Sequence, residues 1–164
     1  MFLNADDFLK ENAIKYILEE IKSKNVDIIY GKVELMNVQK GSLTNYLDIN
    51  YNEFKSFLFL TPPHPGYVLK SSIFKKIGGF DTKYTLASDF DIQLKAWKYS
   101  KSYKRIDKAL VQMSLGGVSN SSINNRLLGI RQMISSYSNN FSTIFVPLIF
   151  IRYLYKIVFL LFKK

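Results

Sequence analysis

Two acidic clusters hold the side chains best suited to chemistry: Leu3-Asn4-Ala5-Asp6-Asp7 and Ala87-Ser88-Asp89-Phe90-Asp91. Adjacent carboxylates at the end of an apolar segment can hold a divalent cation, because Mg²⁺ and Mn²⁺ prefer oxygen ligands and share them with substrate phosphates. The competing reading is that Asp6 and Asp7 cap the helix that follows, since Asp is a leading N-cap residue. Asp89 opens a helical pattern, where the helix dipole favours its charged form and suits it to take a proton from a substrate hydroxyl. A helix cap is again the alternative, for Asp89 and for Asp91. His64 is the one histidine of the chain. It excludes a multi-histidine metal site and leaves a Ser-His-Asp triad possible through that ring alone.

Composition narrows the field further. The chain has 164 residues, 48% hydrophobic and 22% charged, and no Cys. That is one domain's length with enough apolar side chain to bury a core, and too much for a disordered protein. Without Cys there is no disulfide framework, thiolate zinc site or cysteine nucleophile. The chemistry must run on carboxylates, amides and hydroxyls.

Helices and strands must alternate to position these groups. Leu9, Ala13, Ile17 and Ile21 recur at helical spacing and predict a helix from Phe8 to about Lys24. Residues 26–30 read as a buried strand that continues past Gly31 to Leu35, and Asn37–Asn50 reads as a loop. Phe54–Leu60 is a short apolar run of either type. Thr61-Pro62-Pro63-His64-Pro65-Gly66 cannot be helical and predicts an ordered turn, followed by a strand at 67–69. Ser71 and Ser72 can cap a short helix that Gly78-Gly79 ends. A helix over Asp89–Tyr99 is expected to turn Ile92, Ala96 and Tyr99 inward. Strands follow at Tyr103–Ile106 and Val111–Leu115, then a turn at 114–120. A helix over Ile123–Ser138 has Leu127, Ile130 and Ile134 on one side. The class is α/β, with no internal repeats.

Taken in order, these pieces resemble a known series. They are Phe2-Leu3-Asn4-Ala5-Asp6-Asp7, Asp27-Ile28-Ile29-Tyr30-Gly31, His64-Pro65 and Phe74-Lys75-Lys76-Ile77-Gly78-Gly79-Phe80-Asp81. Ala87-Ser88-Asp89-Phe90-Asp91-Ile92-Gln93-Leu94 and Gly116-Gly117-Val118-Ser119 complete it. Together they resemble the second half of the family-2 glycosyltransferases of GT-A fold that build bacterial polysaccharides. The glycine-aspartate phrase and the acidic helix after it are the most specific parts, and residues 1–120 are covered.

The resemblance implies a partial GT-A fold, Rossmann-like, with a mixed sheet, flanking helices and a C-terminal amphipathic helix. It implies an inverting transfer of a hexose-like sugar from a nucleotide-sugar donor to a saccharide or lipid-linked acceptor in cell-envelope polysaccharide synthesis. Asn4, Asp6 and Asp7 match the family's D-x-D region. Asp6 stands at the metal-ligand position for Mg²⁺ or Mn²⁺, and Asn4 where an Asp is frequent. Asp89 matches the general base, with Ser88 in place of the preceding Glu. His64 and Asp91 fall on the acceptor side, His64 alternatively being a structural residue held by its prolines. The resemblance begins in mid-family, at the D-x-D region. The nucleotide-binding half is therefore expected from a separate chain, or to be missing through truncation, and the isolated chain is expected to be inactive or weak.

The charge is uneven. Residues 1–107 hold all 13 acids and 16 basic residues, whereas residues 108–164 hold seven Lys or Arg and no acid. Phe141–Phe162 is apolar but interrupted by Pro147, Arg152 and Lys156. Arg152, Lys156 and Lys163 stack in one stripe of a helix, which suits an interfacial helix on an anionic membrane. A tilted span or a helix packed on the domain are the alternatives. Residues 121–164 are thus expected to form a helical, basic tail, and the protein to sit in the cytoplasm at the inner face of the cell membrane. The aromatics lie in apolar runs rather than among Lys and Arg, which argues against nucleic acid. The rival to an enzyme is a non-catalytic remnant or a membrane-associated basic binding module.

Overall fold

A computed structural model describes residues 1–23, 25–37, 42–47, 61–114, 122–141 and 143–148. In chain order the elements are β1 (Phe8–Leu9), α1 (Ala13–Ser23), β2 (Ile28–Asn37), β3 (Ser42–Leu47) and β4 (Val68–Leu69). Then come α2 (Ser71–Lys76), α3 (Ser88–Tyr99), β5 (Tyr103–Ser114), α4 (Ile123–Asn140) and a 3₁₀ helix at Thr143–Leu148.

The five strands form one mixed sheet in the order β1-β5-β2-β3, with β4 also on β2. β2 and β5 run parallel at its centre, and the other pairings are antiparallel. A parallel pair needs a crossover and covered faces, and the sequence of β2 shows it. Ile28, Ile29 and Tyr30 are consecutive yet all buried. Ile29 and Val33 meet Ala13 and Ile17 of α1 on one face, with Leu110 and Val111 of β5. Ile28 and Tyr30 meet Tyr67, Ile73 of α2 and Ala96 of α3 on the other. A third cluster, Phe90 and Leu94 with Tyr137, packs α4 over α3. The α/β class is as expected.

Several local expectations are overturned. The first helix starts at Ala13, because Asn12 takes a left-handed backbone (φ 62°) and Phe8–Leu9 pair with Val111–Gln112. Leu9 is therefore not a helical core residue, and Asp6 and Asp7 do not cap α1. Part of the expected loop 37–50 is β3, since the edge of β2 beyond β4 leaves backbone N–H and C=O groups that residues 42–47 can pair. The two strands expected at 103–115 are one, β5, with an irregular register opposite Gly31–Val33. Lys70, not Ser71 or Ser72, is the N-cap of α2, and no side chain caps it. Gly78 and Gly79, both at positive φ, end that helix as expected. Tyr99 is 44% exposed and Leu127 52%. The faces of α3 and α4 that meet each other are set by Phe90, Leu94, Ile134 and Tyr137 instead. The run Phe54–Leu60, the turn 115–120 and the tail beyond Leu148 lie outside the described residues. Among the described residues no helix is long and apolar enough to cross a membrane.

Gly31 shows how tightly the central pair is packed. A Cβ there would overlap Leu110 Cγ, lie 2.6 Å from Leu110 Cδ1 and 3.0 Å from the Lys108 carbonyl oxygen. Gly31→Ala is expected to cost about 1–3 kcal/mol through forced displacement of β5. A urea midpoint equal to the wild type's would contradict that packing.

Candidate active site

The N-terminal segment lies beside β4. The Phe2 amide donates to Tyr67 O (3.1 Å) and the Gly66 amide to Phe2 O (3.3 Å). This seats the Phe2 ring against His64, centroids 4.9 Å apart and 19° from parallel, with Phe80 edge-on to both. The chain then turns at Asn4–Asp7, where the Asp7 amide donates to Asn4 O and the Asn4 amide group to Asp7 Oδ2 (2.8 Å). The Ser114 hydroxyl, at the C-terminal end of β5, donates to Asp6 O (3.2 Å). The turn thus stands at the carboxyl end of the parallel pair, where open α/β sheets place their ligands.

Asp6 is exposed, whereas Asp7 is 6% exposed and its Oδ1 is buried without a hydrogen-bond partner. Burial, reinforced by the Asp6 charge and opposed by the Asn4 bonds, raises the Asp7 carboxyl above its ordinary range. An orphaned carboxylate oxygen beside an exposed carboxylate and an amide fits a hard divalent cation that completes its shell with phosphates and water. Among the described residues no group of three or more acidic, His or Cys side chains forms a closed metal cage.

The Thr61–Gly66 loop places the His64 ring against Phe2, at the start of the same segment. Tyr67 N donates to His64 O (3.0 Å), and the buried Gln93 amide of α3 donates to Pro62 O (3.1 Å). The imidazole Nδ1 is buried without a partner. Burial lowers the His64 pKa, and the nearby Asp89 charge partly offsets this. Asp89, in the first turn of α3, is exposed. It is not the N-cap residue, which is Ala87, and its Oδ1 accepts from the Phe90 amide (2.8 Å). The N-terminal segment, the proline loop and the start of α3 therefore meet at His64. Asp6 follows Phe2 by four residues, at most about 14 Å of chain.

Asp91 goes elsewhere. It has no exposed surface, and its carboxylate faces α4. Ser136 Oγ donates to Oδ1 (2.6 Å), Asn140 Nδ2 lies 3.4 Å from the same oxygen, and Lys95 Nζ is 2.6 Å from Oδ2. The lysine contact is an ion pair rather than a well-angled hydrogen bond. Sequence reasoning overlooked Phe2 and Gln93, whose one visible signal was the four-residue spacing of Gln93 from Asp89. A cavity of about 270 Å³ lies apart from all these groups, between α1 and β4, lined by Ile21, Val26, Ile29, Val68, Leu69 and Lys70 among others.

No family model matches the sequence, and no curated protein matches it at the sequence level. Solved structures do match its fold. Residues 1–349 of S. aureus TarS in complex with UDP-GlcNAc align with TM-score 0.59 and 14% identity, over 89% of this chain and 44% of that one. The same protein in complex with UDP aligns at 0.56 and 15%, over 89% and 43%. A longer TarS structure gives 0.56 and 15%, over 89% and 26%. The chain thus has a glycosyltransferase-like α/β fold and spans less than half the length of the TarS structures it matches.

Proposed function

We propose that this chain forms the metal-side and acceptor-side part of a family-2-like glycosyltransferase. The observation that carries the reading is the meeting at His64 of the segment leading to Asp6–Asp7 with the helix start bearing Asp89. It occurs on a fold shared with a protein seen with UDP and UDP-GlcNAc.

The chemistry follows from the side chains. An acceptor hydroxyl is a weak nucleophile, and Asp89 takes its proton as the oxygen attacks the anomeric carbon of a nucleotide sugar. The new C–O bond forms as the bond to the nucleoside diphosphate breaks, and attack from the opposite face inverts the centre. A divalent cation bound through Asp6 and Asp7, with Asn4 alongside, would neutralise the charge of the leaving diphosphate. Asp7 and Asn4 hold the turn that presents Asp6. The acceptor is a saccharide or a lipid-linked sugar. The acid-free, basic residues 121–164 suit an anionic membrane at the inner face of the cell.

Calorimetry tests the reading. UDP is expected to bind in the presence of Mn²⁺, weakly without it, and no longer when Asp6→Asn removes the exposed carboxylate. Absence of any Mn²⁺-dependent UDP binding would instead support a non-catalytic remnant.

A further inference from the structure

The loop carrying His64 is poor in its own hydrogen bonds, because Pro62, Pro63 and Pro65 have no amide proton. A side chain from another element holds it. Gln93 is 2% exposed, and its amide donates to Pro62 O at 3.1 Å, across 31 residues of sequence. Gln93 lies one helical turn after Asp89, on the same face of α3, and Pro62 lies two residues before His64. The bond from Gln93 therefore ties the loop that carries His64 to the helix that carries Asp89. Phe2 and Phe80 close the other sides of the ring.

We propose that Gln93 is a positioning residue: by clamping Pro62 it fixes the His64 loop on α3 one turn after Asp89, so that His64 and Asp89 serve the acceptor as one unit. An orphaned buried N–H is rarer than an orphaned acceptor. With Nδ1 buried and unpartnered, the neutral ring thus carries its proton on Nε2. From there it can donate to a hydroxyl oxygen while Asp89 accepts that hydroxyl's proton. The acceptor assignment rests on the transferase reading; the clamp itself does not.

Among the described residues, the charged groups on the elements around the ring include Asp89 and Lys95 on α3, Lys75 and Lys76 on α2, Asp81 beside Phe80, and the Met1 amino group next to Phe2. Asp81 is already paired with Lys83 and Lys95.

Because the chain has one histidine, its ring signal in a proton NMR titration of the full chain is unambiguous, and no turnover is needed. Asp89→Asn is expected to move the His64 midpoint further down, since an attractive charge is lost. Gln93→Met is expected to move it up toward the ordinary imidazole value, as water reaches a loosened ring. In the double variant the Asp89→Asn shift should shrink, because the pair has separated. A purely structural Gln93 would lower the melting temperature and leave the titration where it was, which would overturn the proposal. So would an undiminished Asp89→Asn shift in the Gln93→Met background. Gln93→Asn, which keeps the amide but falls one methylene short, gives the same reading if the methionine variant does not fold. Failure of the transferase reading would appear in UDP binding and leave these shifts intact.

Discussion

Replacing Asp91 by alanine is expected to remove about 3–5 kcal/mol of stability, a large share of the roughly 5–15 kcal/mol that holds a typical domain folded. Its carboxylate is fully enclosed between α3 and α4, where Ser136, Asn140 and Lys95 converge on its two oxygens. Truncation leaves the buried Ser136 hydroxyl without its acceptor and leaves Lys95 with the more distant Asp81 carboxylate, 3.9 Å away. Asp91→Asn keeps the shape and one acceptor for Ser136 but loses the attraction for Lys95. It should fall between the two. Urea denaturation of the three chains gives the ranking. A loss below about 1 kcal/mol for the alanine variant would mean that α4 is held by its apolar contacts alone.

Asp89→Asn should do the reverse, sparing the fold and abolishing the chemistry. The residue is exposed, and its described bond is to the neighbouring Phe90 amide, which an asparagine oxygen can also accept. The melting temperature is expected to stay within a degree or two, because surface changes of this kind are close to neutral. Turnover is expected to fall about 10²- to 10⁴-fold, the usual worth of a positioned general base. The comparison is made under whatever conditions give measurable wild-type transfer. A variant retaining more than a tenth of wild-type turnover would remove Asp89 from the base position. The two neighbouring acids of one helix are thus expected to separate, Asp91 affecting folding and Asp89 affecting rate.

The expected membrane contact of the basic C-terminal region concerns mostly residues beyond Leu148. Its test is binding of the full chain to anionic vesicles, compared with a chain ending before Phe141. Loss of binding on truncation is the expected result, and equal behaviour of the two would remove the tail from the membrane surface.

Features written in short windows of sequence survived the comparison with the structure. The helix bearing Asp89 follows from local periodicity, and Gly78–Gly79 mark a helix end because only residues without a Cβ take that backbone at little cost. The buried strand through Gly31 follows from an unbroken apolar run, which a two-faced parallel strand needs. The candidate residues Asn4, Asp6, Asp7, His64, Asp89 and Asp91 were named from residue type and order, and the packing of α4 takes Asp91 out of the acceptor side by burying it. What the sequence could not decide was pairing across distance. Leu9 continues the period of α1, yet the edge of β5 draws Phe8–Leu9 into the sheet. Residues 42–47 read as loop because they follow the turn-rich Gln39–Ser42, while strand formation there depends on the free edge of β2. Asp89 and Asp91 are two residues apart and chemically alike. On a helix that separation turns them about 200° from each other, and only the packing of α4 determines which of them is sealed in and which stays exposed.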